Sequence, residues 1–164
     1  MAIETAPLRS LTTVSCACKG VPCSVARVPI LPHKKMIELE SDGKVLLLSP
    51  GKYVGFTSEE KAGKYLQEGE VVAVMKGGSP GVRYWSGKFV ASESGILFKS
   101  RDPRLSTSFL GAFLLCTVDD AFYRGGCLRH LDLARLLNLP VPLPPPEQQR
   151  AVAASELASE LARV

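Results

Sequence analysis

A chain of 164 residues, 46% of them hydrophobic, has the length of one globular domain and enough apolar content to bury a core. Its 14 glycines and 12 prolines exclude an all-helical bundle and favour short strands joined by turns. The net charge of +4 is modestly basic, no apolar run reaches the roughly 18 residues that span a bilayer, and Met1-Ala2-Ile3-Glu4-Thr5 is not a secretory start, so a soluble cytoplasmic protein is expected.

In chain order, Cys16, Cys18 and Cys23 come first, within eight residues. Structural zinc sites pair thiolates as C-x(2–4)-C with a second pair at a distance, a spacing that C-x-C with Cys116 and Cys127 far along the chain does not match. Reduced thiols without metal or cofactor are expected, although spacing alone leaves metal binding by Cys16, Cys18 and Cys23 open. His33, in Pro32-His33-Lys34-Lys35, reads as an exposed turn. Residues 44–48 form an apolar run of strand length, and Ser58 with Glu59 and Glu60 reads as a capped short helix. Residues 71–75, 81–85, 89–91 and 95–98 continue the strand pattern between glycine turns, including one at Gly87-Lys88. Residues 105–118 then keep helical spacing at Phe109, Leu110, Phe113 and Leu114, which predicts a helix packed on the sheet with Cys116 buried on it. Residues 131–137 form a further short helix.

Five prolines in 140–146 hold the next segment near polyproline or edge-strand geometry. Pro146 suits a first helical position and Glu147 suits the helix dipole. Ala153, Leu157, Leu161 and Val164 follow as one apolar stripe, a candidate partner interface, with Arg150, Glu156, Glu160 and Arg163 on the wet side. The expected class is α+β: a small, twisted, mostly antiparallel sheet with packed short helices, a proline-rich arm and a C-terminal helix, divided as 1–143 and 144–164.

The ending, with its Pro-x-Pro-Leu-Pro-Pro run opening a helix at Glu147-Gln148-Gln149, resembles the junction that closes a target-recognition domain in the DNA-specificity subunits of type I restriction-modification systems. Gly69-Glu70-Val71-Val72-Ala73-Val74-Met75-Lys76-Gly77-Gly78 is similar to that family's strand and turn. Phe89 to Phe98, the helix from Leu105 and the Tyr123-Arg124-Gly125-Gly126-Cys127-Leu128-Arg129-His130-Leu131 turn follow in the family's order over residues 45–150. The resemblance implies recognition of duplex DNA by a non-catalytic module that directs methyltransferase and endonuclease subunits. A full subunit of that family resembles two such domains, each followed by a long helix, and the helices pair. This sequence carries one domain and a helix of about 18 residues, near 27 Å at the usual rise. The resemblance then implies a half-subunit, a fragment, or a descendant that has lost the spacer role, and two copies pairing through the terminal stripe would present two half-sites. The competing class is a structural or assembly component that keeps the fold and has lost DNA reading.

Charge and spacing nominate the interface residues. The Lys76-Gly77-Gly78-Ser79-Pro80-Gly81 loop is not a Walker loop, because its lysine precedes the glycines. It reads as a strand-to-strand turn, and the same geometry would let backbone amides approach a phosphate. Lys76, Arg83, Lys88, Lys99, Arg101, Arg104, Arg124 and Arg129 form a basic excess between this loop and the final helix, the footprint expected for a sugar-phosphate backbone if it gathers on one face. Ser79, Ser92, Ser94 and His130 are the candidates for reading base edges. The two histidines lie in no nucleophile, metalloprotease or paired-carboxylate motif, and no Asn-Pro-Pro-Tyr methyltransferase signature is present, so no catalytic residue is expected.

Overall fold

The computed structural model describes residues 2–15 and 29–161. Strand β1 (Thr5–Pro7) runs through α1 (Leu8–Leu11) into β2 (Thr12–Ser15). Then come β3 (Ile30–Leu31), α2 (His33–Ile37), β4 (Val45–Leu48), β5 (Phe56–Thr57) and α3 (Glu59–Ala62). Strands β6 (Gln67–Met75), β7 (Val82–Ser92) and β8 (Gly95–Ser100) form the centre of the main sheet, with β6 between the other two, followed by α4 (Thr107–Thr117) and the short strands β9 (Tyr123–Arg124) and β10 (His130–Leu131). Helix α5 (Leu133–Leu137), β11 (Pro140–Pro142) and α6 (Pro146–Leu161) complete the α+β fold. Among the described residues no helix is long and apolar enough to cross a membrane.

The main sheet has the order β2-β8-β6-β7-β4-β5, with β3 also on β7. It is antiparallel except where β3 and β4 run parallel to β7. The turn expected at Gly87-Lys88 does not form. Gly87 instead stands opposite Gly69 in the β6–β7 register, both with φ near +140° (139° and 135°), a region open to glycine but strained for other residues. This glycine pair lets β7 continue as one strand, paired with β6 from Val82 to Phe89 and with β3 and β4 from Phe89 to Ser92.

Alternation along the strands sorts the core into layers. Val71 and Ala73 pack with Leu97, Leu46, Leu48, Phe89 and Ala91, so the two halves of the sheet curl over one apolar cluster. Val72 and Val74 face the other way, onto Phe109, Leu110 and Leu114 of α4. On the opposite flank Val45, Leu47 and Val90 pack on Met36 of α2 and Ala62 of α3. Ser58 and Ser106 cap α3 and α4, their hydroxyls accepting from the amides of Lys61 and Phe109 at 3.1 Å each.

The proline arm is an edge strand with a partner. Strand β11 pairs with β1 as a separate two-stranded ribbon, Thr5 opposite Pro142 and Pro7 opposite Pro140, a placement that suits residues without an amide donor. Gln149, 3% exposed, pins the start of α6: its side-chain amide donates to the carbonyls of Arg104 (2.7 Å) and Pro144 (2.9 Å) and its oxygen accepts from the Ser106 amide (2.9 Å). The helix then lies on α4. Ala153 and Leu157 are buried against Ala112, with Tyr84, Leu115 and Val152 around them. These two residues are therefore committed within the chain and do not form an open partner stripe. Val164 and the Leu161 side chain lie outside the described residues, as do Cys16, Cys18 and Cys23. Cys116 also departs from expectation. It is exposed at the α4–α6 seam, where its thiol donates to the Glu156 carboxylate at 3.3 Å. The face of α4 that carries Leu110 and Leu114 is taken by the sheet, and Cys116 is on the other side of the helix, at the edge of the α6 contact.

Candidate nucleic-acid interface

The glycine loop after β6 is held from two sides. The Lys76 amide donates to the Ser94 carbonyl (2.9 Å), the Leu131 amide to the Lys76 carbonyl (2.8 Å), and the Gly78 amide to the Arg129 carbonyl (3.0 Å). Gly77 and His130 thus form a bridge that joins the loop to the 123–131 hairpin. A third segment arrives through parallel pairing. Strand β3 sets Leu31 beside Ser92, and the Glu93 amide donates to the Leu31 carbonyl at 2.8 Å. His33, two residues on, then reaches Ser92, Nδ1 to Oγ 3.2 Å, and Ser92 meets Ser94, Oγ to Oγ 2.8 Å.

Lys76, Ser94 and His130 therefore converge on one open concavity of about 470 Å³, together with His33, Glu93 and Arg129. Two permanent cations and two imidazoles face it against one carboxylate. Arg129 is oriented from behind, its guanidinium donating to the Asp120 carboxylate (2.7 Å) and carbonyl (3.1 Å) and lying 5.9 Å from the Tyr123 ring centre. Such a surface can hold an anion through charge and through ring N–H donors, and it presents polar side chains able to meet a base edge.

Tyr123 fixes the hairpin base. Its buried hydroxyl donates to the Met75 carbonyl at 2.7 Å, and burial pushes its phenol from 10.0 up to about 12. The fold thus favours the neutral phenol. The stabilisation is complete below pH 10, where both states are neutral, and is lost as pH rises from 10 towards 12 and only the unfolded chain ionises. Burial also raises Tyr53 and Tyr84, so late phenolate absorbance should be reduced, not abolished, in Tyr123→Phe, and the stability advantage of the native chain over that variant should shrink above pH 10.

The other nominated residues are dispersed. Arg124 is next to the cluster, opposite His130, and pairs with Asp132 at 2.7 Å. Ser79 lies on the other side of the glycine loop, in a neighbouring concavity with Lys52 and Glu160. Ser92 is beneath the surface, 1% exposed, so it positions His33 and Ser94 and does not face a ligand itself. Arg83 is turned into the fold. It is 4% exposed and its guanidinium donates to the carbonyls of Ser49 (2.8 Å), Tyr53 (3.0 Å) and Gly51 (3.2 Å), tying down the loop after β4. Lys88 is paired with Glu59. Arg101 donates to the carbonyls of Arg9 and Ser10 beyond the far end of β8, about 23 Å from Ser94 at the usual strand rise, and Arg104 is held by Asp102 and Glu4. The basic excess thus does not gather on one face. Arg129 belongs to the basic excess that the sequence shows, whereas His33 reads there only as an exposed turn. No local signal marks His33, because the parallel pairing of β3 that places it is a long-range contact.

A model of the type I restriction modification DNA specificity domain matches residues 26–154. Among solved structures, the chain is similar to the S subunit of a type-I restriction-modification system from M. genitalium, with 18% identity and a TM-score of 0.63 over 99% of this chain and 41% of that one. It is also similar to the HsdS subunit from Thermoanaerobacter tengcongensis, with 15% identity and a TM-score of 0.47 over 98% of this chain and 37% of that one. The M. genitalium likeness is one of fold. The chain spans about two fifths of the length of these solved chains. No curated protein matches it.

Proposed function

The chain belongs to the family of type I restriction modification DNA specificity domains, and from that premise we propose that it binds duplex DNA as a target-recognition module, with the face built by the 76–81 loop, the 123–131 hairpin and His33 turned to the DNA. Lys76 and Arg129 hold phosphates, while His130, Ser94 and His33 lie where base edges or sugars would pass. Methyl transfer and cleavage belong to methyltransferase and endonuclease subunits that the module directs. The observation that carries this reading is the convergence of three sequence-distant segments on one cationic concavity, tied together through main-chain hydrogen bonds. A site on bonded backbone can place its side chains with the accuracy that base reading needs.

The test is selection of random duplex DNA by the purified protein at two salt concentrations, followed by sequencing. Micromolar or tighter binding that weakens with salt and enriches a short motif is the expected result, since phosphate contacts alone produce the salt dependence without a motif. Absence of binding at both salts would overturn the proposal in favour of an assembly component.

A further inference from the structure

The hairpin that carries His130 ends in an apolar side chain that the chain does not cover. Leu128 is 81% exposed, against 50% for Ile3, the other exposed large hydrophobic among the described residues. The hairpin base is bonded to Met75 through Tyr123 and to Gly78 through the Arg129 carbonyl. At the tip Gly125 has φ +108°, and a Cβ there would lie 2.4 Å from the Leu128 carbonyl oxygen, so the turn closes tightly beneath Leu128 and requires glycine. Arg124 and Arg129 flank the tip, each in an ion pair with an acid just outside the hairpin, Asp132 at 2.7 Å and Asp120 at 2.7 Å, that a phosphate would displace. A short two-stranded ribbon with an apolar tip between two arginines matches one feature of duplex DNA. The major groove, about 12 Å wide, admits such a ribbon, and the apolar group that base edges present there is the thymine C5-methyl.

We propose that the 123–131 hairpin enters the major groove and that Leu128 packs on a thymine methyl, reading one T·A pair, with Arg124 and Arg129 on the flanking phosphates. This rests on the DNA-binding reading above and assigns a determinant of its specificity.

The experiment starts from the motif selected by the native protein. Each thymine is replaced in turn by deoxyuridine, which deletes only the methyl group, and affinities are measured for the native chain and for Leu128→Ala. One position should lose about fourfold in affinity with the native chain, the effect of one buried methyl-sized group, and nothing with the variant. Leu128→Ala should also lose its preference at that pair while melting as the native chain does, because the side chain is exposed. If uridine at every position leaves native affinity unchanged, or the variant selects the same motif with the same affinity, the inference falls while DNA binding stands, and Leu128 is then available to an apolar pocket on a protein partner. If the native chain selects no motif, the recognition reading falls and takes this inference with it.

Discussion

Arg83→Met lowers the stability of the fold by about 3 kcal/mol and leaves the affinity of the remaining folded protein for DNA unchanged. The guanidinium is almost completely buried and donates to three main-chain carbonyls between Ser49 and Tyr53. Methionine fills much of the volume but donates nothing, so three acceptors lose their partner at about 1 kcal/mol each. At the usual scaling for a chain of this size the melting midpoint falls by roughly 6–12 °C. Arg83→Lys recovers only part of the loss, because a single ammonium cannot reproduce the planar fork that spans carbonyls on either side of Gly51. Thermal melting of both variants, with DNA affinity measured well below the midpoint, checks this. A weakened affinity with unchanged melting would instead place Arg83 on the DNA.

Lys76→Gln combined with Arg129→Gln weakens binding to duplex DNA roughly 100-fold at low salt and makes the logarithmic salt dependence shallower by about 2, one for each phosphate contact removed. Both side chains face the same concavity. The fold should tolerate the change, because the Arg129 bond to the exposed Asp120 carboxylate is a surface ion pair of small worth. Lys88→Gln with Arg104→Gln removes the same charge from positions paired with Glu59, Asp102 and Glu4. That control pair should change affinity by a few-fold at most. Titration of all three proteins at several salt concentrations separates a local site from a general effect of net charge, and equal losses in both pairs would refute the local site.

Much of the fold was legible residue by residue. The Ser58 cap, the helical spacing of Phe109, Leu110 and Leu114, Pro146 as a first helical residue and the strand character of 45–48 and 71–75 all rest on short-range chemistry: a side chain that caps its own turn, a ring that fixes one dihedral, a period of two or 3.6. The order of such pieces also carried the family resemblance. The candidate site was legible only in part. Lys76, Ser94 and His130 do share one surface, whereas nominating every cation in the basic segment placed Arg83 on the outside. Strand β7 is covered on both faces by different apolar clusters, so its alternation offers no polar side from which an inward arginine can be told from an outward one.

By itself the sequence determined the α+β class, the helix caps, the proline arm and the membership of a DNA-specificity family, because each follows from local pattern or from the order of local patterns. Only the tertiary structure decided that Gly87 sits within a strand, that Ala153 and Leu157 are consumed against α4, and that His33 joins Lys76, Arg129 and His130. The reason is common to all three. Each depends on which distant segment lies alongside, Gly69 for Gly87, Ala112 for Leu157 and Ser92 for His33, and strand register and helix docking are settled by packing between segments that local sequence does not relate.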